Sequence, residues 1–579
     1  SWTMNGLLTM PTTGELHTRP GPEDDPDRGY RSRFRHQTET ATPGYYAVTL
    51  DDYGIRAELT CTTRTGFQRY TFPESGESRI LFDFLFPSEY GKKVHDAKVV
   101  KVSDTEIAGS VEMSSGLHYG AVHYQDYKLH FVARTNKAFD TMDGWRGGDV
   151  SRDIRELTGQ GDTGVCLNFK TRQGEQILLK TGISLVSIEQ ARLNLETETR
   201  PFGWDFDACR AAGRTTWNEL LNRVTVEGGR EVDHRKFYTN MYRAYCARTI
   251  WSDVNGKYTD MYEKVQQVPD PVSPVYGSDA LWNTFWNLNQ LWNLVTPDVS
   301  DKWVRSLLEI YDKGGWLPRG PTGIEYSGIM EASHAIPLIV AAYQHGIRGY
   351  DADKAFKAML HSQTVPGRDH PAGGQVGNKD LTPYLEHGYI PIGGTKHDNH
   401  ASNTLEYAYD DWCVAQMAKA LGRDDEYKEF SKRAEFWRNL FDKETGFMRA
   451  RHPDGRWQED FDPYSRAGGW VEGNPWQYTW FVPQNVPGMV ELMGREQFVK
   501  RLKEGLEKSS VHDFNAPGDR MSSVPINHGN QPSMQVAYLF NHAGAPWLTQ
   551  KWVRTILDQY YGSAPHDGWP GDEDQGQGG

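Results

Sequence analysis

The spacing of hydrophobic residues changes about one third of the way along the chain. From about Gly44 to Ile188 they alternate with polar residues in short runs, separated by turns rich in Gly, Asp and Ser. Alternation with a period of two residues is typical of strands that bury one face. Runs of this kind span residues 45–50, 69–72, 129–133 and 176–180. We therefore predict an antiparallel β-domain, a sandwich.

Beyond Asp207 the hydrophobic residues recur every three or four positions, which predicts helices. A connecting helix is predicted over residues 209–221, and a helical hairpin over residues 405–421 and 427–441, broken at Gly422. Further helical segments are predicted at residues 303–311, 335–344, 497–506, 537–542 and 552–560. Because these hairpins show no repeat of fixed period, we favour an (α/α)-barrel over a solenoid. The predicted domains are a β-sandwich (1–195), a helical linker (196–235) and a helical barrel domain (236–579).

Composition narrows the possible partners. The chain has 579 residues, enough for several cores, and a net charge of −14 without long basic runs, which argues against nucleic acid or an anionic membrane as a partner. It contains no apolar run of the roughly 20 residues that a membrane span requires. The five cysteines are far apart and indicate neither a disulfide framework nor a zinc site. Aromatic residues make up 12% of the chain, including 19 Trp and 29 Tyr, an excess common in carbohydrate-handling proteins.

Residues 468–480 (GGWVEGNPWQYTW) combine one carboxylate with aromatic and amide side chains. Tryptophan faces stack on the apolar faces of sugar rings, and amides bind hydroxyl groups. Apolar surroundings raise the pKa of a carboxyl group, which suits a general acid. We predict Glu472 as that acid, with sugar contacts from Trp470, Asn474, Trp476 and Gln477. The alternative is a buried glutamate paired with an arginine in an aromatic core.

Three consecutive carboxylates, Asp572, Glu573 and Asp574, follow a Trp-Pro-Gly turn near the end of the sequence. In an extended segment Asp572 and Asp574 lie on the same side, and one of them could activate water. A solvated acidic tail is the alternative.

Two further segments carry candidate sugar contacts. Residues 527–535 (NHGNQPSMQ) supply amides, among them Asn530 and Gln531, although Asn, Ser and Pro also begin helices without any ligand role. Residues 282–292 (WNTFWNLNQLW) have helical spacing and are predicted to be mostly core. The candidate site residues at the N-terminal end of this segment are Trp282, Asn283 and Trp286.

Together these segments resemble glycoside hydrolase family 92, the calcium-dependent exo-acting α-mannosidases. Besides the Glu472 segment, the resemblance rests on landmarks in the family's order along nearly the whole chain: residues 10–14 (MPTTG), 57–60 (AELT), 333–334 (SH), 404–412 (TLEYAYDDW) and 571–574 (GDED). The resemblance implies an N-terminal β-sandwich packed on an (α/α)6 barrel.

The resemblance also implies inversion at the anomeric carbon, with Glu472 as general acid and Asp574, supported by Asp572, as the base that activates water. In inverting enzymes the two carboxyl groups stand about 6.5–9.5 Å apart, so that water fits between them and the sugar. Ca²⁺ is the implied cofactor and binds two neighbouring hydroxyls of the mannoside. The sequence does not identify its ligands.

The chain departs from the family pattern at three of the candidate sugar-contact positions. Where many members have Trp-Asp-Thr-Phe-Arg, this chain has Asn283 and Trp286 in place of the Asp and the Arg, and Gln531 stands where a Glu precedes Pro. An amide donates as well as accepts, so these changes predict an altered sugar or linkage preference rather than strict α-1,2 specificity. The family's opening segment and the sequence that follows its acidic motif are also absent, which indicates a fragment lacking both ends.

The leading hypothesis is an inverting, calcium-dependent exo-α-mannosidase that acts on terminal α-mannosides of oligosaccharides or N-glycans. The alternatives are an inverting glycosidase of the same architecture acting on another terminal α-linked sugar, and a carbohydrate-binding relative without catalysis. Glycan substrates and calcium indicate a secreted or periplasmic location. The sequence does not indicate an oligomeric state.

Overall fold

A computed structural model of the chain describes residues 6–86, 91–115, 125–246, 248–277, 281–322, 325–328, 330–394, 399–467, 469–515 and 524–564. The described residues divide into two compact units. The β unit falls within Ser1–Thr225, Ile250–Gly277 and Thr322–Ile324, and the helical unit within Val226–Thr249, Ser278–Pro321 and Glu325–Gly579.

The β unit contains two antiparallel sheets. In the described residues one sheet has the strand order β1-β6-β13-β10-β11 and the other β12-β7-β8-β9-β14-β5-β4-β3-β2. The strands are β1 (Leu8–Thr13), β2 (Thr40–Thr42), β3 (Tyr45–Leu50), β4 (Ile55–Cys61), β5 (Thr65–Phe72), β6 (Ser75–Asp83), β7 (Lys92–Ser103), β8 (Glu106–Ser115), β9 (Gln125–Thr135), β10 (Thr141–Arg146), β11 (Asp149–Ser151), β12 (Glu156–Gly159), β13 (Thr163–Thr171) and β14 (Glu175–Ser184). The predicted antiparallel sandwich is therefore confirmed.

Alternation along the strands builds the core between the sheets. On β6, Ile80 and Phe82 join the core shared by both sheets, whereas Leu81 points to the opposite face and packs with Trp145 and Cys166. Side chains that alternate in this way follow from the two-residue period of a strand. The two faces of the same strand thus contribute to separate hydrophobic clusters.

Two helices cover the larger sheet of the β unit, α1 (Ile188–Thr199) and α2 (Phe206–Leu221). A side chain added at Gly182 on β14 would lie 2.5 Å from Leu195 Cβ, so glycine permits the close approach of α1. Asp253, from the segment that returns to this unit, accepts hydrogen bonds from Ser184 (2.9 Å) and from Asn194 of α1 (2.7 Å). These bonds attach residues 250–277 to the sandwich, a connection that the hydrophobic pattern alone does not predict.

The helical unit follows, as predicted. Its helices are α3 (Glu231–Tyr245), α4 (Leu288–Val295), α5 (Pro297–Gly314), α6 (Ala335–Gln344), α7 (Ala352–Thr364), α8 (Leu381–His387), α9 (His400–Ala420), α10 (Asp424–Arg433), α11 (Pro475–Tyr478), α12 (Val486–Met493), α13 (Arg495–Ser510) and α14 (Pro546–Gln559). Short 3₁₀ helices cover Pro26–Arg28, His36–Thr38, Thr284–Trp286, Phe436–Leu440, Pro483–Asn485, Gln531–Ser533 and Val536–Asn541. The described residues also form strands of two or three residues: Thr249–Ile250, Lys257–Thr259, Val265–Gln267, Tyr276–Gly277, Pro321–Thr322, Glu325–Tyr326, Arg368–Asp369, Gln375–Val376, Phe441–Asp442 and Phe447–Met448.

Helix α9 is the central element of the helical unit. It contacts α6, α7 and α10, and every residue from His400 to Asp411 is buried. A helix that is buried on all sides must satisfy its polar side chains inside the protein. Helix α9 therefore brings Glu406, Asp410 and Asp411 into the interior, where each has a specific partner.

Candidate active site

Glu472 lies on a tight turn just before α11. Its φ of 45° places it in the left-handed region, which non-glycine residues adopt at an energetic cost and often at functional sites. Its side chain is half-buried. The Asn530 Nδ2 group donates to the Glu472 backbone oxygen (2.9 Å) and to its carboxyl Oε2 (3.2 Å). The turn and this amide together fix the direction of the carboxyl group.

Trp282 forms a wall beside this turn. It is buried, and it packs against Val471, the residue that precedes Glu472, and against Met330. Its indole N–H donates to both carboxyl oxygens of Glu406, each at 2.9 Å. Trp282 is thus a buried aromatic ring beside the turn, and its polar atom is bound inside the protein.

Behind Trp282, the Nε2 side of His334 faces two buried carboxyl groups to which the sequence assigned no role. His334 Nε2 lies 3.4 Å from Glu406 Oε2 and 3.9 Å from Asp410 Oδ1. Burial raises the pKa of both carboxyl groups well above their usual values and lowers the pKa of His334 to about 3. Asp410 in turn accepts the backbone N–H of Ser333 (2.8 Å) and an N–H of Gln363 (3.3 Å).

Three carboxyl groups act on Tyr478, which follows Glu472 by six residues. Burial raises the pKa of Tyr478 well above its usual value, and the nearby carboxyl groups of Glu406, Glu472 and Glu331 add to this effect. Glu331 is held by Asn399 Nδ2 (2.7 Å) and Arg319 Nη2 (3.3 Å). Sequence reasoning missed Glu331 because it follows no aromatic or amide motif. The landmark containing Glu406 was the only sequence signal for that residue.

Several buried polar groups near these segments lack a hydrogen-bond partner within the described part of the chain. Both amide atoms of Asn283 and of Gln531 are in this state although each residue is 0% exposed. The Trp286 Nε1, Ser533 Oγ and Gln535 Oε1 atoms are also buried and lack a hydrogen-bond partner among the described residues. A buried amide without a partner is unfavourable by about 1–3 kcal/mol, so such groups favour binding of a polar ligand.

The remaining predicted contact residues pack or hydrogen-bond within the protein, although Trp476 Nε1 lacks a hydrogen-bond partner among the described residues. Asn474 caps α11 by accepting from the Gln477 backbone (3.1 Å), and the Gln477 side chain donates to Val524 O (3.1 Å). Trp470 is buried against Tyr478, with 5.6 Å between ring centroids, and Trp476 packs on Phe447 at 4.9 Å. The structure therefore brings Glu472, Asn530 and the Trp282 wall together.

The predicted base and its neighbour, Asp574 and Asp572, lie outside the described residues. Among the described residues, no three His, Cys, Asp or Glu side chains are grouped so as to hold a metal ion. The same residues do supply neutral oxygen donors without partners, at Gln531, Ser533 and Gln535. Neutral carbonyl and hydroxyl oxygens of this kind are among the ligands that Ca²⁺ accepts.

Within the described ranges, we find no helix with the length and apolar character needed to traverse a bilayer.

Comparison with protein families gives two matches that together span nearly the whole chain. Residues 1–184 match the Glycosyl hydrolase family 92 N-terminal domain, and residues 190–579 match the Glycosyl hydrolase family 92 catalytic domain.

Solved structures and a curated relative agree with these matches. A family GH92 alpha-mannosidase from Bacteroides thetaiotaomicron is 32% identical, with a TM-score of 0.86 over 99% of this chain and 74% of that chain. A family GH92 inverting mannosidase from the same species is 27% identical, with a TM-score of 0.84 over 99% of this chain and 75% of that chain. An uncharacterized secreted glycosidase from Arthroderma benhamiae is 25% identical over 93% of this chain and 68% of its own length.

Proposed function

We propose, on the premise that this chain belongs to glycosyl hydrolase family 92 and is a glycoside hydrolase, that it removes terminal α-linked mannose from glycans with inversion of configuration. Similarity to the two mannosidases supports the sugar, and one of them is an inverting enzyme. The first was also solved with mannoimidazole bound. The substrate class is an oligosaccharide or N-glycan with a terminal mannoside.

The geometry around Glu472 is the observation that carries this proposal. A half-buried carboxyl on a strained turn stands beside the Trp282 wall, and the Asn530 amide contacts one of its two oxygens. This combination of a fixed carboxyl, an aromatic surface and neutral hydrogen-bonding groups suits protonation of a glycosidic oxygen.

Glu472 is the general acid in this proposal. The Asn530 Oδ1 atom accepts the backbone N–H of Gln531 (3.0 Å), so its Nδ2 group is the donor that faces Glu472. The acid proton passes from the Glu472 carboxyl group to the leaving oxygen as the C–O bond breaks. Asp574, supported by Asp572, is the proposed base that takes a proton from water as the water attacks the opposite face of the sugar.

Calcium is part of the proposal, with oxygens of Gln531, Ser533 and Gln535 among its ligands. When bound, Ca²⁺ would polarise two neighbouring hydroxyls of the sugar and help to hold its ring in a flattened conformation. Asn530, which directly precedes these residues, would then fix Glu472 relative to the bound sugar.

Asn283 and Trp286 favour one second candidate, a glycosidase of the same architecture that releases another terminal α-linked sugar. Both amide atoms of Asn283 and the indole N–H of Trp286 lack partners among the described residues and would contact the sugar. Amides and an indole read hydroxyl positions differently from a carboxylate and a guanidinium. For the same reason we propose that the enzyme is not restricted to α-1,2 linkages.

Product analysis tests the function. The purified protein is incubated with α-1,2-, α-1,3-, α-1,4- and α-1,6-linked mannobiose and with matched α-linked glucose and galactose disaccharides, and the first product is followed by proton NMR. We expect β-mannose to appear before the α-anomer. Initial release of α-mannose would contradict inversion, and release of glucose or galactose alone would favour the second candidate.

A secreted or periplasmic location is proposed for the enzyme because its substrates are glycans and the curated relative is a secreted glycosidase.

A further inference from the structure

A buried chain of polar side chains lies directly behind the Trp282–Asn283 wall. His334 Nδ1 accepts the backbone N–H of Asn283 at 2.9 Å, and Nε2 on the other side of the ring faces Glu406 and Asp410. Because Nδ1 accepts a hydrogen bond, the proton of the neutral imidazole is on Nε2 and points toward the two carboxyl groups. The contacts thus select a single tautomer of His334.

The same chain holds both residues of the wall. Glu406 accepts the indole N–H of Trp282, while His334 accepts the backbone N–H of Asn283. Asn283 has a φ of 60°, a left-handed conformation that asparagine tolerates better than most residues but that still needs support from its surroundings. The bond from Asn283 N–H to His334 supplies that support and fixes the backbone from which the Asn283 side chain extends.

The Asn283 side chain is the part of this arrangement that points to a ligand. It is 0% exposed, and neither its Oδ1 nor its Nδ2 atom has a hydrogen-bond partner in the described ranges. An amide carries a donor and an acceptor side by side, which matches one or two hydroxyl groups of a neutral sugar.

We propose that His334 is a positioning residue that holds the Asn283 amide where it binds hydroxyl groups of the terminal sugar. This inference rests on the proposed glycosidase function and adds the residue that fixes the backbone of Asn283. His334 does not touch the sugar in this account.

A matched pair of substitutions separates positioning from simple loss of packing. In His334→Asn, the side-chain oxygen can stand near the Nδ1 position and still accept the Asn283 N–H. In His334→Gln, the amide reaches the Nε2 position, and the acceptor for Asn283 is lost. On 4-nitrophenyl α-mannoside we expect His334→Asn to keep KM within about twofold of wild type, and His334→Gln to raise KM about tenfold with a smaller change in kcat.

His370 provides the control for a generic buried histidine. Its Nδ1 also accepts a backbone N–H, that of Ala372 at 3.2 Å, and its other nitrogen contacts Gly314 O. We expect His370→Asn to leave KM unchanged. Equal KM values for the two His334 variants would overturn the inference.

A panel of deoxy sugars identifies the hydroxyl group that the Asn283 amide binds. Wild type, Asn283→Ala and His334→Gln are compared on the 2-, 3-, 4- and 6-deoxy forms of the mannoside. For one deoxy form we expect the wild-type kcat/KM to be about tenfold lower than for the parent mannoside. On that deoxy form, neither variant should lower kcat/KM further. Purely additive losses for every form would overturn the inference, and Asn283→Ala provides this readout even if His334→Gln does not fold.

Binding measurements keep this test separate from the test of function. If wild type cleaves no mannoside, the proposed function fails, and calorimetric binding of methyl α-mannoside and methyl α-glucoside then compares the same variants. Weaker binding by His334→Gln than by His334→Asn would support the positioning role. Equal affinities, or no binding by wild type, would overturn it.

Discussion

At the scale of single residues, the orientation of one amide controls the proposed acid. Asn530 is locked because its oxygen accepts a backbone N–H while its nitrogen donates to Glu472. We predict that Asn530→Ala lowers kcat on a mannobiose about tenfold, because Glu472 loses a hydrogen bond worth about 1–1.5 kcal/mol.

The control for this prediction is Asn439→Ala, which removes a similar bond to Gly388 O (2.8 Å) outside the candidate site. Steady-state kinetics should show an unchanged kcat for this control. Equal kcat values for Asn530→Ala and wild type would show that the amide does not hold the acid.

His528 predicts a dependence of stability on pH. Burial lowers its pKa to about 4, and its Nε2 lies 2.9 Å from the Tyr561 hydroxyl. Below its unfolded value of 6.5 the unfolded chain binds a proton that the folded protein does not, so this contribution to stability is lost as the pH falls from 6.5 toward 4. The loss approaches about 1.4 kcal/mol per pH unit for one proton.

Urea unfolding at several pH values measures this effect. We expect His528→Gln to reduce the slope of unfolding free energy against pH in this window by up to the contribution of one proton, about 1.4 kcal/mol per pH unit. The variant His345→Gln, at an exposed histidine, should keep the wild-type slope. The same slope in His528→Gln and wild type would exclude His528 as its source.

Only part of the candidate site could be predicted from the residues in the sequence. Glu472 stood out because aromatic and amide residues surround it within one short segment. Glu331 and His334 come from one segment and Glu406 from another, and their convergence depends on how α6 and α9 pack. No local spacing encodes that packing, so their contacts could not be predicted.

At the scale of elements, a buried ion pair joins α9 and α10. Arg433 donates to both oxygens of Asp411, at 2.7 and 3.0 Å, and burial raises the pKa of Asp411 to about 6 in spite of this pairing. We predict that Arg433→Met lowers the free energy of unfolding by about 3–5 kcal/mol, because it leaves a buried carboxyl without its cation.

The double variant Arg433→Met with Asp411→Asn should recover much of this loss in denaturant titrations. Arg423→Met removes a largely exposed pair with Asp353 (3.2 Å) and should change stability by less than about 1 kcal/mol. Equal effects of Arg433→Met and Arg423→Met would contradict the role of the buried pair.

Regular elements followed closely from local pattern. The strand predicted over residues 45–50 is β3, and the helix predicted over 335–344 is α6. The segment 537–542 was predicted as a helix of ordinary type, but the structure has a 3₁₀ helix at Val536–Asn541. Hydrophobic spacing cannot distinguish these two forms over so short a segment.

At the scale of the whole molecule, the order of a sandwich and then a helical unit was predictable because the hydrophobic period changes from two to about 3.6 along the chain. The return of residues 250–277 to the β unit was not, because it depends on Asp253 meeting Ser184 and Asn194. Long-range hydrogen bonds of this kind leave no periodic signal in a sequence.

Calcium dependence is a prediction about the folded protein as a whole. We expect excess EGTA to lower mannoside hydrolysis at least tenfold and added CaCl₂ to restore it, and calcium to raise the melting temperature by preferential binding to the folded state. Gln535→Ala should reduce this thermal shift. Gln484→Ala, which removes another amide oxygen without a partner among the described residues, should not. Activity unaffected by EGTA would contradict the calcium proposal.

The most direct test of the central claim is the dependence of Glu472→Gln on the leaving group. A general acid contributes about 10²–10⁴-fold where the leaving oxygen needs a proton, and little where it does not. We predict that Glu472→Gln lowers kcat on a mannobiose by at least about 100-fold but on 2,4-dinitrophenyl α-mannoside by far less. The control Glu331→Gln should affect both substrates equally. Near-normal turnover of the mannobiose by Glu472→Gln would contradict the assignment of Glu472 as the acid.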